Sequence, residues 1–146
     1  MKKAKSSKNE TKLLTDVELE LMTILWKLGE GSVADVMAQL PKERALAYTS
    51  VSTMLRILEQ KGVLQARKEG RGHVYVPTLP KADYESKAVQ HVVDRVFDGA
   101  PSALVRQLLE TVSLDRAELE ALRSMIDSAS AREELKRKPA PKAGRS

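Results

Sequence analysis

Apolar residues between positions 13 and 40 fall at helical spacing in two runs. Val17, Leu21, Ile24, Leu25 and Leu28 lie three or four apart, Trp26 adds bulk, and Gly29 and Gly31 end the run. Thr15 with Glu18 three positions on forms a capping box, and Leu14 and Leu19 form a hydrophobic staple, so a first helix is expected over about 16–28. Ser32 can cap a second short helix, whose Val33, Val36, Met37 and Leu40 form one stripe before Pro41 stops it. A loop holding Lys42, Glu43 and Arg44 follows. The third helix is expected over about 48–61, apolar at Val51, Met54, Leu55 and Leu58, with Gly62 as its left-handed cap. Two β-like runs come next, 63–67 and 73–78, joined by Lys68, Glu69, Gly70, Arg71 and Gly72. That pattern predicts a hairpin with a basic, glycine-rich tip.

Pro77 and Pro80 punctuate the chain, and helical spacing returns for the last third, which places a domain boundary near 79. A fourth helix, about 81–97, presents Ala88, Val89, Val92, Val93, Val96 and Phe97 and is closed by Asp98 and Gly99. The fifth starts at Pro101, a favoured first-turn residue, with Leu104, Leu108, Leu109 and Val112 apolar. The sixth opens on a capping box of Asp115 and Glu118, with Leu114 before it and Leu119, Leu122, Met125 and Ile126 after it. Three helices in about fifty residues bury such stripes poorly alone, and a two-fold dimer is the economical way to complete their core. Val89, Val92, Val93, Val96, Phe97, Leu104, Leu108, Leu119, Leu122 and Ile126 are therefore the expected dimerisation residues.

Composition narrows the chemistry. At 146 residues there is no room for a large catalytic domain, and only five residues are Phe, Trp or Tyr, so aliphatic helix packing must fill the core. The absence of cysteine excludes disulfides, thiolate metal sites and cysteine nucleophiles and is compatible with the cytoplasm. No apolar run exceeds five residues, far short of the roughly 20 that span a bilayer, so no membrane association is expected.

The net charge of +5 is unevenly divided. Residues 1–12 carry five lysines against Glu10, and residues 136–146 carry five basic side chains and no acid, so both ends read as disordered basic tails. The body between them is net −4. Within it, residues 42–73 hold seven Lys and Arg against three Glu. One basic patch in acidic surroundings suits a surface that docks on a phosphate backbone, because Lys and Arg displace condensed counterions.

Three short helices followed by a two-stranded hairpin is the order of a winged helix-turn-helix, whose third helix enters the major groove. The expected fold is thus mainly α with a small β-hairpin: a winged-helix DNA-binding domain over 13–79 and a three-helix dimerisation domain over 80–135, between tails at 1–12 and 136–146. Tyr48, Thr49, Ser50, Ser52, Thr53 and Arg56 on the third helix can bond phosphates or base edges, and Arg67, Lys68 and Arg71 on the hairpin can reach phosphates. Tyr75, in an alternating strand, reads as a packing residue. His73 and His91, the only two histidines, have no neighbouring ligands at metal-site spacing and read as structural or exposed. No phosphate-binding loop, nucleophile elbow or dinucleotide fingerprint occurs, so no enzyme, cofactor or metal is expected. The expected partners are double-stranded operator DNA and a second copy of the chain. The competing readings are a winged-helix protein-interaction module, and a non-specific nucleoid-type or single-strand DNA binder driven by the two tails.

The sequence also resembles the penicillinase repressor (BlaI/MecI/CopY-type) family over roughly 13–127. The likeness rests on Leu14-Thr15-Asp16-Val17-Glu18, Ile24-Leu25-Trp26, Ala47-Tyr48-Thr49-Ser50-Val51, the segments 56–62 and 67–75, Leu114-Asp115 and Leu122-Arg123. It implies an N-terminal winged-helix DNA reader, a C-terminal helical dimerisation domain, and repression released by a signal. In the penicillin-resistance members that release looks like proteolysis at an Asn-Phe bond, through a membrane sensor-linked protease; this chain has Gln107-Leu108 at the corresponding place. Copper-responsive members carry a cysteine motif that is missing here, which excludes copper sensing by that route.

Overall fold

The structure is a computed structural model and describes residues 13–137. The expected tails lie outside that range, except that Lys136 and Arg137 belong to the last helical turn. The order is α1 (Asp16–Leu28), α2 (Val33–Gln39), α3 (Tyr48–Gln60), β1 (Leu64–Glu69), β2 (Gly72–Pro77), α4 (Lys81–Val96), α5 (Pro101–Thr111) and α6 (Arg116–Arg137). Contacts divide the chain into two compact units at Gly99 and Ala100.

In the first unit the helix starts follow the caps. Thr15 accepts from the Glu18 amide at 3.2 Å, while the Glu18 carboxylate accepts from the Thr15 amide at 2.9 Å. Ser32 and Asp35 make a second such box, so the cap expected of Ser32 is reciprocal. The apolar stripes then meet in one core: Leu21, Met22 and Leu25 of α1, Val33 and Val36 of α2, Val51, Leu55 and Leu58 of α3, and Leu64 and Tyr75 of the hairpin. Each such side chain contributes roughly 1.5–3 kcal/mol by leaving water. Tyr75 is a packing residue, as expected, and burial raises its phenol pKa above the ordinary value, with the nearby Glu59 carboxylate acting in the same direction.

The hairpin is tighter than expected. β1 and β2 pair antiparallel from Leu64 opposite Pro77 to Glu69 opposite Gly72, leaving only Gly70 and Arg71 to turn the chain. Gly70 adopts φ +59°, as glycine readily does in the first position of a two-residue hairpin turn. A single-residue bridge ties the wing down: Gly31 exchanges backbone hydrogen bonds with Tyr75, at 3.0 and 2.8 Å. A Cβ on Gly31 would lie 3.2 Å from the Asp35 Cβ and 3.3 Å from the Leu28 Cδ1, so a larger residue at this bridge requires those side chains to shift by a few tenths of an ångström. Gly31→Val should lower stability by about 1–3 kcal/mol, read as a lower thermal midpoint, whereas an unchanged midpoint would show that the wing tolerates crowding at its root.

The division of contacts comes after α4, not near 79 where the sequence places a boundary. The Trp26 indole N–H donates to the Leu79 carbonyl at 2.8 Å, the Leu14 amide donates to the Tyr84 hydroxyl at 3.2 Å, and the Trp26 and Tyr84 rings lie 5.9 Å apart. These contacts fasten the start of α4 to the winged helix, and Pro77 and Pro80 mark a bend within one unit.

In the second unit the Asp115 carboxylate accepts from the Glu118 amide at 2.9 Å. Neither α5 nor α6 has a fully buried residue. Leu119 is 45% and Ile126 56% exposed, while Leu104 and Leu122 are half-buried. On α4, Val89 and Val96 are exposed and Val92 and Phe97 half-buried, but Val93, expected on the dimer surface, is already buried within the protomer. No described helix is long and apolar enough to cross a membrane.

Candidate nucleic-acid interface

α3 presents two surfaces besides its buried one. Val51, Leu55 and Leu58 point inward, whereas Tyr48, Thr49, Ser50, Thr53 and Arg56 are exposed and Ser52 is half-buried. One flank of this outer face borders a groove between α3 and the wing, lined by Tyr48, Ser52, Arg56 and Glu59 from the helix and Lys68, Arg71, Gly72, His73 and Tyr75 from the hairpin. The spacing explains the grouping, since 48, 52, 56 and 59 fall along one side of a helix. On β1, side chains alternate between faces, so Lys68 follows Ala66 into the groove.

The charges sort in the same way. Three of the seven basic residues in the 42–73 patch are neutralised: Arg44 by Glu20 at 2.9 Å, Lys61 by Glu18 at 2.7 Å, and Arg67 by Glu30 and Glu69 at 2.9 and 3.2 Å. Among the described residues Lys42, Arg56, Lys68 and Arg71 form no ion pair, and the last three line the groove. Three of the four unpaired cations of the patch are therefore gathered where α3 meets the wing, with Glu59 as the one carboxylate among the lining residues.

Backbone chemistry adds to it. α1 and α2 open on capping boxes, whereas α3 opens on Ala47, which offers no side-chain cap. Its first-turn amides keep their donors for another acceptor, and such donors with the helix dipole favour a phosphate oxygen.

Of the residues expected to contact DNA, the structure thus gathers Tyr48, Ser52, Arg56, Lys68 and Arg71 around one groove and leaves Thr49, Ser50 and Thr53 on the outer face of α3. Arg67 is set apart, on the opposite face of β1, where the carboxylates of Glu30 and Glu69 raise its pKa further and its guanidinium in turn holds the Glu30 carboxyl below the ordinary value. The sequence reading missed His73 and Glu59 as lining residues; the alternation of β2, which puts 73 on the same face as Tyr75, was the available signal for the first. Among the described residues no cluster of three or more His, Asp or Glu is placed to hold a metal ion.

The family model described as penicillinase repressor matches residues 14–128. The chain is 30% identical over 114 residues to the penicillinase repressor of Bacillus licheniformis, covering 78% of this chain and 89% of that protein. It is 23% identical over 119 residues to the methicillin resistance regulatory protein MecI of Mammaliicoccus sciuri, covering 82% and 97%. Among solved structures, the DNA-binding domain of the repressor BlaI is similar at TM-score 0.44 and 37% identity, over 49% of this chain and 87% of that one. The Bacillus licheniformis BlaI monomer in complex with the blaP half-operator is similar at TM-score 0.43 and 36% identity, over 50% and 89%. The family is one of repressors, not of enzymes. With its model matched across most of the sequence, this chain belongs to the penicillinase repressor family.

Proposed function

We propose that the chain represses transcription by binding duplex DNA as a homodimer on palindromic operators, in the cytoplasm. The observation that carries this reading is the gathering of Arg56, Lys68 and Arg71 in the groove between the exposed face of α3 and the wing. In this reading Thr49, Ser50 and Thr53, exposed on α3, reach base edges in the major groove, and Tyr48, Ser52, Arg56, Lys68 and Arg71, which line the groove, hold the sugar-phosphate chain beside it. Binding of one small winged helix to a short site is modest, and pairing two of them on half-sites about one helical turn or more apart multiplies it.

The exposed stripes of α5 and α6 supply the pairing surface, with Val89, Val92, Val96 and Phe97 of α4 as further candidates. Gln107 and Leu108, at the place of the family cleavage bond, lie in the middle of α5, and the Gln107 side chain donates to Thr111 Oγ1 at 3.0 Å. A sensor-linked protease acting there must first unwind that helix.

Selection from random duplexes tests the reading directly. An inverted repeat should be enriched, and recovery of no preferred sequence would overturn sequence-specific repression. In the same assay Leu119→Asp with Ile126→Asp should turn a dimeric mass in solution into a monomeric one and abolish the preference for the full repeat over a single half-site. A dimer that persists would place the pairing surface elsewhere.

A further inference from the structure

The wing is a two-stranded hairpin, and such a pair standing alone is marginally stable in water. Its root is fixed by the Gly31–Tyr75 bridge. One residue further out on β1 stands Arg67, opposite Val74, and one residue before Gly31 stands Glu30. The Arg67 guanidinium meets the Glu30 carboxylate in a two-pronged arrangement, Nη1 to Oε1 at 3.1 Å and Nη2 to Oε2 at 2.9 Å, and also donates to Glu69 Oε2 from Nη2 at 3.2 Å. A planar fork on a planar carboxylate fixes direction as well as distance. Two carboxylates around one guanidinium leave a net negative spot, which repels a phosphate. Lys68, on the other face of the strand, is turned into the groove.

We propose that Glu30 is a positioning residue: through Arg67 it straps the hairpin to the α1–α2 connection so that Lys68 and Arg71 face the groove, and Arg67 itself does not contact DNA. This rests on the DNA-binding reading above. It makes an unusual prediction of sign. Removing a carboxylate beside a DNA-binding surface ordinarily tightens binding, because a like charge is lost, but loss of the strap weakens it.

The test is a fluorescence-anisotropy titration of the full chain with the duplex recovered by selection, comparing wild type, Glu30→Ala, Arg67→Ala and the double variant, each shown by circular dichroism to be folded at the assay temperature. Both single variants should weaken binding about two- to fivefold, the range expected of an exposed ion pair, and the double variant should be no weaker than either. Lys68→Ala should cost less in the Glu30→Ala background than in wild type, a coupling that general destabilisation does not produce. Tighter binding by Glu30→Ala, or additive losses with a salt slope lowered by about 0.9 in Arg67→Ala, would overturn the strap and return Arg67 to the phosphate contacts. A wild type that shows no preference among duplexes overturns the underlying reading and the strap together, and that outcome is visible before any variant is measured.

Discussion

Glu18→Ala is expected to be the most destabilising single polar substitution in the winged unit. Glu18 is the one buried charged residue among those described, only 4% exposed. Its carboxylate closes the α1 capping box and receives the Lys61 ammonium at 2.7 and 2.9 Å, so a single side chain joins the first turn of α1 to the residue that caps the end of α3. Removing one partner of a buried pair costs about 3–5 kcal/mol when the other is stranded. The Lys61 side chain is 34% exposed and can turn to water, which lowers the expected cost to about 2–3 kcal/mol. Burial by itself raises the Glu18 pKa, but the Lys61 hydrogen bond, the Thr15 amide and the Lys61 charge together outweigh it and hold the group below 4.5. The stability that this adds is therefore complete above about pH 4.5 and is lost as the pH falls through the lower folded-state value. Thermal midpoints at neutral and acid pH check both parts: the gap between wild type and Glu18→Ala should be wide at pH 7 and close in acid, and a gap independent of pH would show that the charge contributes nothing.

The largest effect on binding should come from the triple variant Arg56→Ala, Lys68→Ala, Arg71→Ala. Each of these cations borders the groove without an acidic partner among the described residues, so each is available to displace a counterion from DNA. Three lost phosphate contacts would lower the slope of log affinity against log salt by about 2.7 and the affinity at moderate salt on the order of a hundredfold. None of the three is buried, so the thermal midpoint should hardly move. A slope equal to that of wild type would mean that the groove lies off the DNA.

Much of this was legible in the sequence because it is local. The Thr15–Glu18 box, the 51, 54, 55 and 58 stripe, and Gly62, whose φ is +85°, each declare themselves within four residues. What escaped depends on distant partners. Gly31 pairs with Tyr75 as a single-residue strand, too short to show a period of two. Arg67 reads as a free surface cation because Glu30 is 37 positions away, and Lys61 because Glu18 is 43 away. The prolines at 77 and 80 announce a break in the chain, but the indole of Trp26, 53 positions before the Leu79 carbonyl, holds the start of α4 to the winged helix. The site was legible as a set of residues. Its division into a groove with unpaired cations and a strapped outer face was not, because burial and ion pairing sort residues that composition treats alike.

The assignment of α3 as the base-reading element is tested most directly by cleavage from a tethered reagent. The chain has no cysteine, so Thr53→Cys alone gives one thiol for an iron chelate that cuts nearby DNA. Bound to the selected inverted repeat, the Thr53 conjugate should cut at the centre of each half-site, and an Arg71→Cys conjugate should cut to the side of it. Cutting from position 53 that is absent, or spread evenly along the duplex, would contradict the placement of α3 in the major groove.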